Sequence, residues 1–465
     1  MIWRRVLPFA LVCAATAALF VILASDDPAG HLVFATWGTP TEIESFQRLI
    51  DHYNATRRPP HTVKLSHIEQ SSYTEHLLVQ AAARSLPDVI HLDRKDIPMF
   101  VHRGLLEDLT PLIEADTGFS LEAFLPALLP GCQVAGRFYG IPNNFSTLVL
   151  YFNKDHFDAE GLAYPDSTWT WERFLQAARR LTKTDATGTT IRYGCMVAVI
   201  RFTLIQQFGG RILNEEMDSC IIASPESAAA LQFDTDLSEE YGVTWGVLSQ
   251  NLNWDDMFAG GRCAMITNGR WAAAWYLRSM KEGALDVAPL PRGKVHTGAS
   301  VNHLMTVSSQ STKKQEAWEF ATFLASDTAQ RMINDDGANI PALRSLVYSD
   351  AFLRHRSTPR MRNHVFLEEL PSSVVWPVVQ GPYLTSYALL SELDYAMRRI
   401  HLGQASAIQS LTIMQDNLNS IIARQRRRPQ AAQFIGSLPF YLSCGLLILV
   451  AQLWIQRRRR YLHGR

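Results

Sequence analysis

The sequence predicts an α/β chain of two lobes carried between apolar ends, on three observations. Between residues 31 and 96 the pattern runs strand, helix, strand, helix, strand, the order that builds a parallel sheet. Residues 147–152 (TLVLYF) are a continuous apolar run suited to a strand buried on both faces, entered through Asn143, Asn144 and Phe145. Residues 6–24 and 434–455 are uncharged and apolar, long enough to reach across a hydrocarbon core.

Composition narrows the class. A chain of 465 residues with 47% hydrophobic and 19% charged content has room for two or three domains and is too apolar to be disordered. Lys plus Arg and Asp plus Glu number 44 each, so no overall field favours nucleic acid. Of the six cysteines, Cys13 and Cys444 fall in the apolar ends. Cys132, Cys195, Cys220 and Cys263 are widely spaced, without the pairwise spacing of a metal site. Bridges Cys195–Cys220 or Cys132–Cys263 and four free thiols all remain open. No Ser-His-Asp set, zinc motif or phosphate loop stands at working distance, so no catalytic residue, metal or cofactor is expected.

The elements follow in chain order. Residues 1–25 read as a signal peptide or signal anchor, with Arg4 and Arg5 before the apolar run. Residues 31–37 form a strand, and Ile43, Phe46, Leu49, Ile50 and Tyr53 recur at helical spacing behind Thr41 as N-cap. Strands at 63–68 and 88–92 enclose a helix at 73–84. Ligands of such sheets settle beyond the carboxyl ends of the strands, which puts residues 37–42 and 93–96 on one rim. A helix at 169–181 starts at Thr168 or Thr170, and one at 224–240 is capped by Ser224 with Pro225 at its first position. Strands at 263–267 and 297–308, helices at 314–324 and 328–335, and two last helices at 384–399 and 406–424 complete the body. Residues 434–455, flanked by arginines, read as a transmembrane helix.

The strings FATWGTPTEIESFQRLIDHYN, LPDVIHLDRKDIPMFVHRGLLEDLTPLI, GRFYGIPNNFSTLVLYFNKDHF, MFAGGRCAMITNGRW and KQEAWEFATFL follow one another in the order and spacing of a known family. Through them the chain resembles the extracellular solute-binding proteins of carbohydrate ABC importers over residues 32–422. The resemblance implies a two-lobe periplasmic-binding-protein fold with a hinge and an interlobe cleft, to which the apolar ends add membrane segments. Lobe 1 would be residues 31–144 and 303–345, and lobe 2 residues 145–302 and 346–423, with bending near Phe145 and Asn302.

Sugars offer hydroxyls at the edge and an apolar C–H face, so their sites combine aromatic platforms with amide and carboxylate side chains. Trp37, Trp271 and Trp376 are the expected platforms, each alternatively a core aromatic. Trp169, Trp171, Trp275 and Trp318 read as packing residues. Glu42, Asp93, Asn144 and Asn302, then Thr39, Asn143 and Ser300, are the expected hydrogen-bonding groups, although a helix dipole already accounts for Glu42. The implied protein is no enzyme. It is a membrane-tethered receptor with a monomeric binding body facing the periplasm or the exterior, partnered by a carbohydrate and ABC permease subunits. The alternative is a membrane-anchored sensor built on the same fold.

Overall fold

The computed structural model describes residues 30–57, 62–197, 200–244, 253–335, 337–375 and 381–427. The apolar segments expected at 1–25 and 434–455, and Trp376, lie outside the described residues. Among the described residues no helix is long and apolar enough to cross a membrane.

Ten strands carry the two main sheets: β1 Leu32–Thr36, β2 Val63–His67, β3 Val89–Asp93, β4 Ile141–Thr147, β5 Val149–Asn153, β6 Met265–Asn268, β7 Leu285–Ala288, β8 Gly298–Val307, β9 Ile340–Pro341 and β10 Ser373–Val375. One sheet has seven strands in the order β9-β4-β8-β3-β1-β2, with β10 beside β8, and the other is β6-β5-β7. The predicted parallel sheet is present: β1 pairs in parallel with β2 and with β3. β8 then runs antiparallel between β3 and β4.

The chain leaves the large sheet at Leu148. Thr147 still pairs with Ser300 of β8, whereas Val149 pairs with Asn268 of β6. The run 147–152 was expected to be one strand behind a polar turn, but Asn143 and Asn144 are themselves inside β4, every residue of which is buried. Phe145 and Asn302, the expected bending points, are register partners within the large sheet. The passage between sheets falls instead at Leu148 and, on the return, between Ala288 and Gly298. Both faces of this sheet are covered, so polar amides sit in a strand without marking its end.

β5 shows why its apolar run is continuous. Val149 and Tyr151 join one core cluster with Phe258, Tyr276 and Val287, while Leu150 and Phe152 join another with Phe174, Phe202, Leu231, Leu393 and Met414. Alternate side chains thus enter separate cores. The second core is closed by helices Trp171–Leu181, Pro225–Glu239, Ser386–His401 and Ala407–Arg427. Their starts are set by caps: Thr170 accepts from Arg173 N, Ser224 from Ser227 N, Thr385 from Ala388 N, and Ser406 from Gln409 N. Helix Pro40–Arg57 is capped by Thr39, not Thr41. The Thr39 hydroxyl accepts from Glu42 N at 3.4 Å and the Glu42 carboxylate accepts from Thr39 N at 2.8 Å, a reciprocal capping box. Cys132, Cys195, Cys220 and Cys263 are buried free thiols.

Candidate functional site

The carboxyl ends of β1, β2 and β3 form one edge of the large sheet, since the three strands are parallel. A concavity of about 510 Å³ lies there between Gly38, Thr39, Pro40 and Ile43 after β1 and His67, Glu69 and Gln70 after β2. Trp37, the residue after β1, is half-buried at this rim. Its indole stacks on the His91 ring at 4.5 Å and 13°, and meets Tyr73 at 4.6 Å and His303 at 5.3 Å edge to face. Stacking on His91 covers one face of the indole and the edge contacts fix its tilt.

The clamp is set from beneath. The Thr36 hydroxyl donates to Trp37 O at 3.1 Å and lies 2.8 Å from His91 Nδ1. With that proton spent, Nδ1 carries the ring hydrogen, and Nε2, buried without a partner among the described residues, is the lone-pair nitrogen. Burial, and then His303, hold His91 well below the usual histidine range, and burial lowers His303 as well. Both rings are neutral at pH 7.

His303 donates from Nδ1 to Asn144 Oδ1 at 2.7 Å, Asn144 Nδ2 to Asn143 Oδ1 at 3.0 Å, and Asn143 Nδ2 to Leu324 O at 2.8 Å. This chain of bonds crosses three elements and commits Asn143, which is 0% exposed, to the interior. Asn302 is buried with Oδ1 lacking a partner among the described residues, and Ser300 Oγ donates to Val374 O at 3.5 Å. Asp93 accepts from Lys95 N at 3.2 Å and pairs with Lys95 Nζ at 2.5 Å. Asp96 lies beside this pair, and burial pushes its carboxyl up to about 6 despite Lys95. Thr39 and Glu42 are joined in the capping box, and Glu42 Oε1 accepts from Asn339 Nδ2 at 3.3 Å.

Asn339 also lines a second concavity of about 420 Å³, walled by Arg270, Asn334, His355 and Phe352. The Asn339–Glu42 bond makes the two concavities neighbours. Arg270 follows β6 in the loop that carries Trp271. Asn268 braces that loop: its Nδ2 donates to Asp255 Oδ1 at 2.9 Å and to Tyr276 Oη at 2.8 Å, and its Oδ1 accepts from Gly269 N at 2.8 Å. Tyr151 Oη donates to Gly269 O at 2.8 Å, and Arg270 N donates to Ser146 Oγ at 2.8 Å, which ties the loop to β4. Trp271 is 39% exposed, and Trp275, expected to pack, is 45% exposed one helical turn later.

The structure therefore gathers Trp37, Asp93, Asn144 and Asn302 around the carboxyl edge of the large sheet and its return strand β8, adjoins Thr39 and Glu42, and puts Trp271 on the small sheet's loop. His91, His303, Tyr73 and Lys95 were not singled out from sequence. His91 and His303 stand in apolar strand strings (VIHLD, NHLMT), and a histidine in such a string was their only signal.

Residues 37–331 match the model of the bacterial extracellular solute-binding proteins. The chain belongs to that family. This solute-binding protein is 27% identical over 281 residues to the mannitol-binding protein of Pseudomonas aeruginosa, covering 57% of this chain and 63% of that protein. It is 22% identical over 373 residues to the galactooligosaccharide-binding protein of Bacillus subtilis, covering 76% and 81%. Its fold matches an ABC substrate-binding protein from Listeria monocytogenes solved in complex with cycloalternan, with TM-score 0.73 and 23% identity, over 84% of this chain and 99% of that one. The family is one of binding proteins, so the solute-binding protein described here is no enzyme, and its fold is the two-lobe one.

Proposed function

We propose that the chain is a membrane-tethered extracytoplasmic receptor that captures a carbohydrate between its lobes and delivers it to an ABC importer. The observation that carries this reading is the Trp37 platform: an indole clamped by His91 and Tyr73 at the carboxyl edge of a parallel sheet, with amide and carboxylate groups nearby. Such a pairing suits a ligand with an apolar ring face and polar edges. Relatives named for mannitol and galactooligosaccharides support the same chemistry. The lobes close by bending at Leu148 and between Ala288 and Gly298, an equilibrium biased by a ligand that touches both.

A thermal-shift screen of the full chain with mannitol, galactooligosaccharides and maltooligosaccharides tests the reading, since a tight ligand stabilises by mass action. A shift with one of them is expected, and silence across the set would overturn it. The apolar segments at both ends, read from sequence, favour a second reading as an anchored sensor. Recovery with permease and ATPase subunits selects uptake, and recovery with a kinase or cyclase selects sensing.

A further inference from the structure

His102 is the last residue of helix Ile97–His102, whose Ile97, Met99 and Phe100 pack in the core of the large-sheet lobe. Its exposed ring meets Tyr383 edge to face, with centroids 5.3 Å apart at 76°. Tyr383 belongs to the other lobe, where it packs against the core that holds Leu384, Leu389 and Met414. One aromatic contact therefore spans the two lobes.

Tyr383 has a second neighbour. The Arg426 guanidinium lies 5.7 Å from the centre of its ring and forms an ion pair with Asp218. Asp218 sits in a tight turn in which Asn214 Oδ1 accepts from Asp218 N and Ser219 N, each at 2.9 Å. The next residue, Cys220, exchanges both backbone bonds with Asn419: Cys220 N donates to Oδ1 at 2.7 Å, and Nδ2 donates to Cys220 O at 3.0 Å. Arg426 and Asn419 are both on helix Ala407–Arg427, the last described element. The end of that helix is thus held to the turn at 214–220, and its arginine packs on the ring that the opposite lobe touches.

We propose that His102, Tyr383 and Arg426 form a latch that couples closure of the cleft to the end of the C-terminal helix. The inference rests on the two-lobe binding reading and adds a regulatory output to it. Opening withdraws His102 from Tyr383 and leaves that ring to Arg426 and to the core of its own lobe. One edge-to-face contact shifts a two-state equilibrium by about twofold to tenfold. Linkage is reciprocal, so whatever holds the helix end against Tyr383 changes cleft affinity by the factor with which a bound ligand changes the helix end.

The test needs no ligand. In the full chain with Cys13 and Cys444 replaced by serine, spin labels at Val79→Cys and Tyr395→Cys, positions 70% and 57% exposed, report the distance between lobes. His102→Gln and Tyr383→Ala are each expected to move the distance distribution outward, Arg426→Ala less so, and Tyr383→Phe to leave it at the parent value. Amide exchange over residues 419–427 is expected to rise about fivefold in His102→Gln, the scale of one lost aromatic contact. An unchanged distribution in both His102→Gln and Tyr383→Ala, or unchanged exchange at the helix end, overturns the latch. His102 is exposed, so its substitution leaves the fold intact and keeps the measurement decisive. A carbohydrate screen without a hit would remove the binding reading and leave this result standing.

Discussion

Trp37 stands directly after one strand and Trp271 three residues after another, yet they are held by opposite means. Trp37 is fixed by rings: His91 beneath it, Tyr73 and His303 at its edges. Trp271 is carried by a loop fixed through hydrogen bonds among Asn268, Asp255, Tyr276, Tyr151 and Ser146. The first arrangement restricts the side chain itself, and the second restricts the backbone while leaving the side chain 39% exposed. A ligand bound against both would meet one platform held by rings and one whose ring rests on the loop backbone at Gly269.

The difference can be broken from either side. Asn268→Ala removes three hydrogen bonds, two of them buried, and is expected to lower stability by about 3 kcal/mol, read as a shift in urea midpoint. A loss under about 1 kcal/mol would mean that packing, not the polar network, holds the loop. Trp37→Ala should weaken binding of whichever carbohydrate scores in the thermal screen by about 2 kcal/mol, the scale of an aromatic hot spot. Its unfolding midpoint should change less, because the ring is half-exposed; calorimetry against denaturation separates the two. Ser146→Ala breaks the tie between β4 and the Arg270 backbone and is expected to cost about 1 kcal/mol of stability. Unaltered amide exchange at Arg270 would show that the tie is dispensable.

The smallest effect distinguishes the two tryptophans by pH. His91 and His303 have folded values below their unfolded ones, so the unfolded chain binds more protons as pH falls through about 6.5. Their contribution to folding stability is complete above that pH and is lost as pH falls below it. Glu369 acts in the other direction: burial pushes its carboxyl up to about 7, so it favours the folded state at low pH and ceases to as pH rises through about 7. The stability profile of His91→Asn should therefore be flatter below about pH 6.5 than that of the parent, and Glu369→Gln flatter between about pH 4.5 and 7. Parallel profiles in the variants and the parent would reject these assignments.

Local patterns carried the elements well. The strand–helix alternation at the start became parallel strands β1 to β3, and Ser224 with Pro225 opened the helix at Pro225 as the capping rule requires. The point of passage was less legible, because Asn143, Asn144 and Ser146 look like turn residues and only the facing strands reveal them as part of β4. Trp37 could be placed at a strand end from sequence, but the histidines that hold it come from β3 and β8, which meet only in the folded sheet. Thr39 shows the limit at finer grain: a cap one turn from the first apolar residue is recognised by its reciprocal bond with Glu42, not by its own identity.

The place of β8 has a consequence for how the molecule comes into being. It lies between β3 and β4, yet it is made long after both, whereas β5, β6 and β7 are all available once Ala288 has been made. The smaller sheet can assemble while the larger one still has an empty slot at its centre, with the edges of Val89–Asp93 and Ile141–Thr147 unmated. Pairings so distant along the chain form slowly. The larger sheet thus keeps its central slot open until residues 298–307 have arrived.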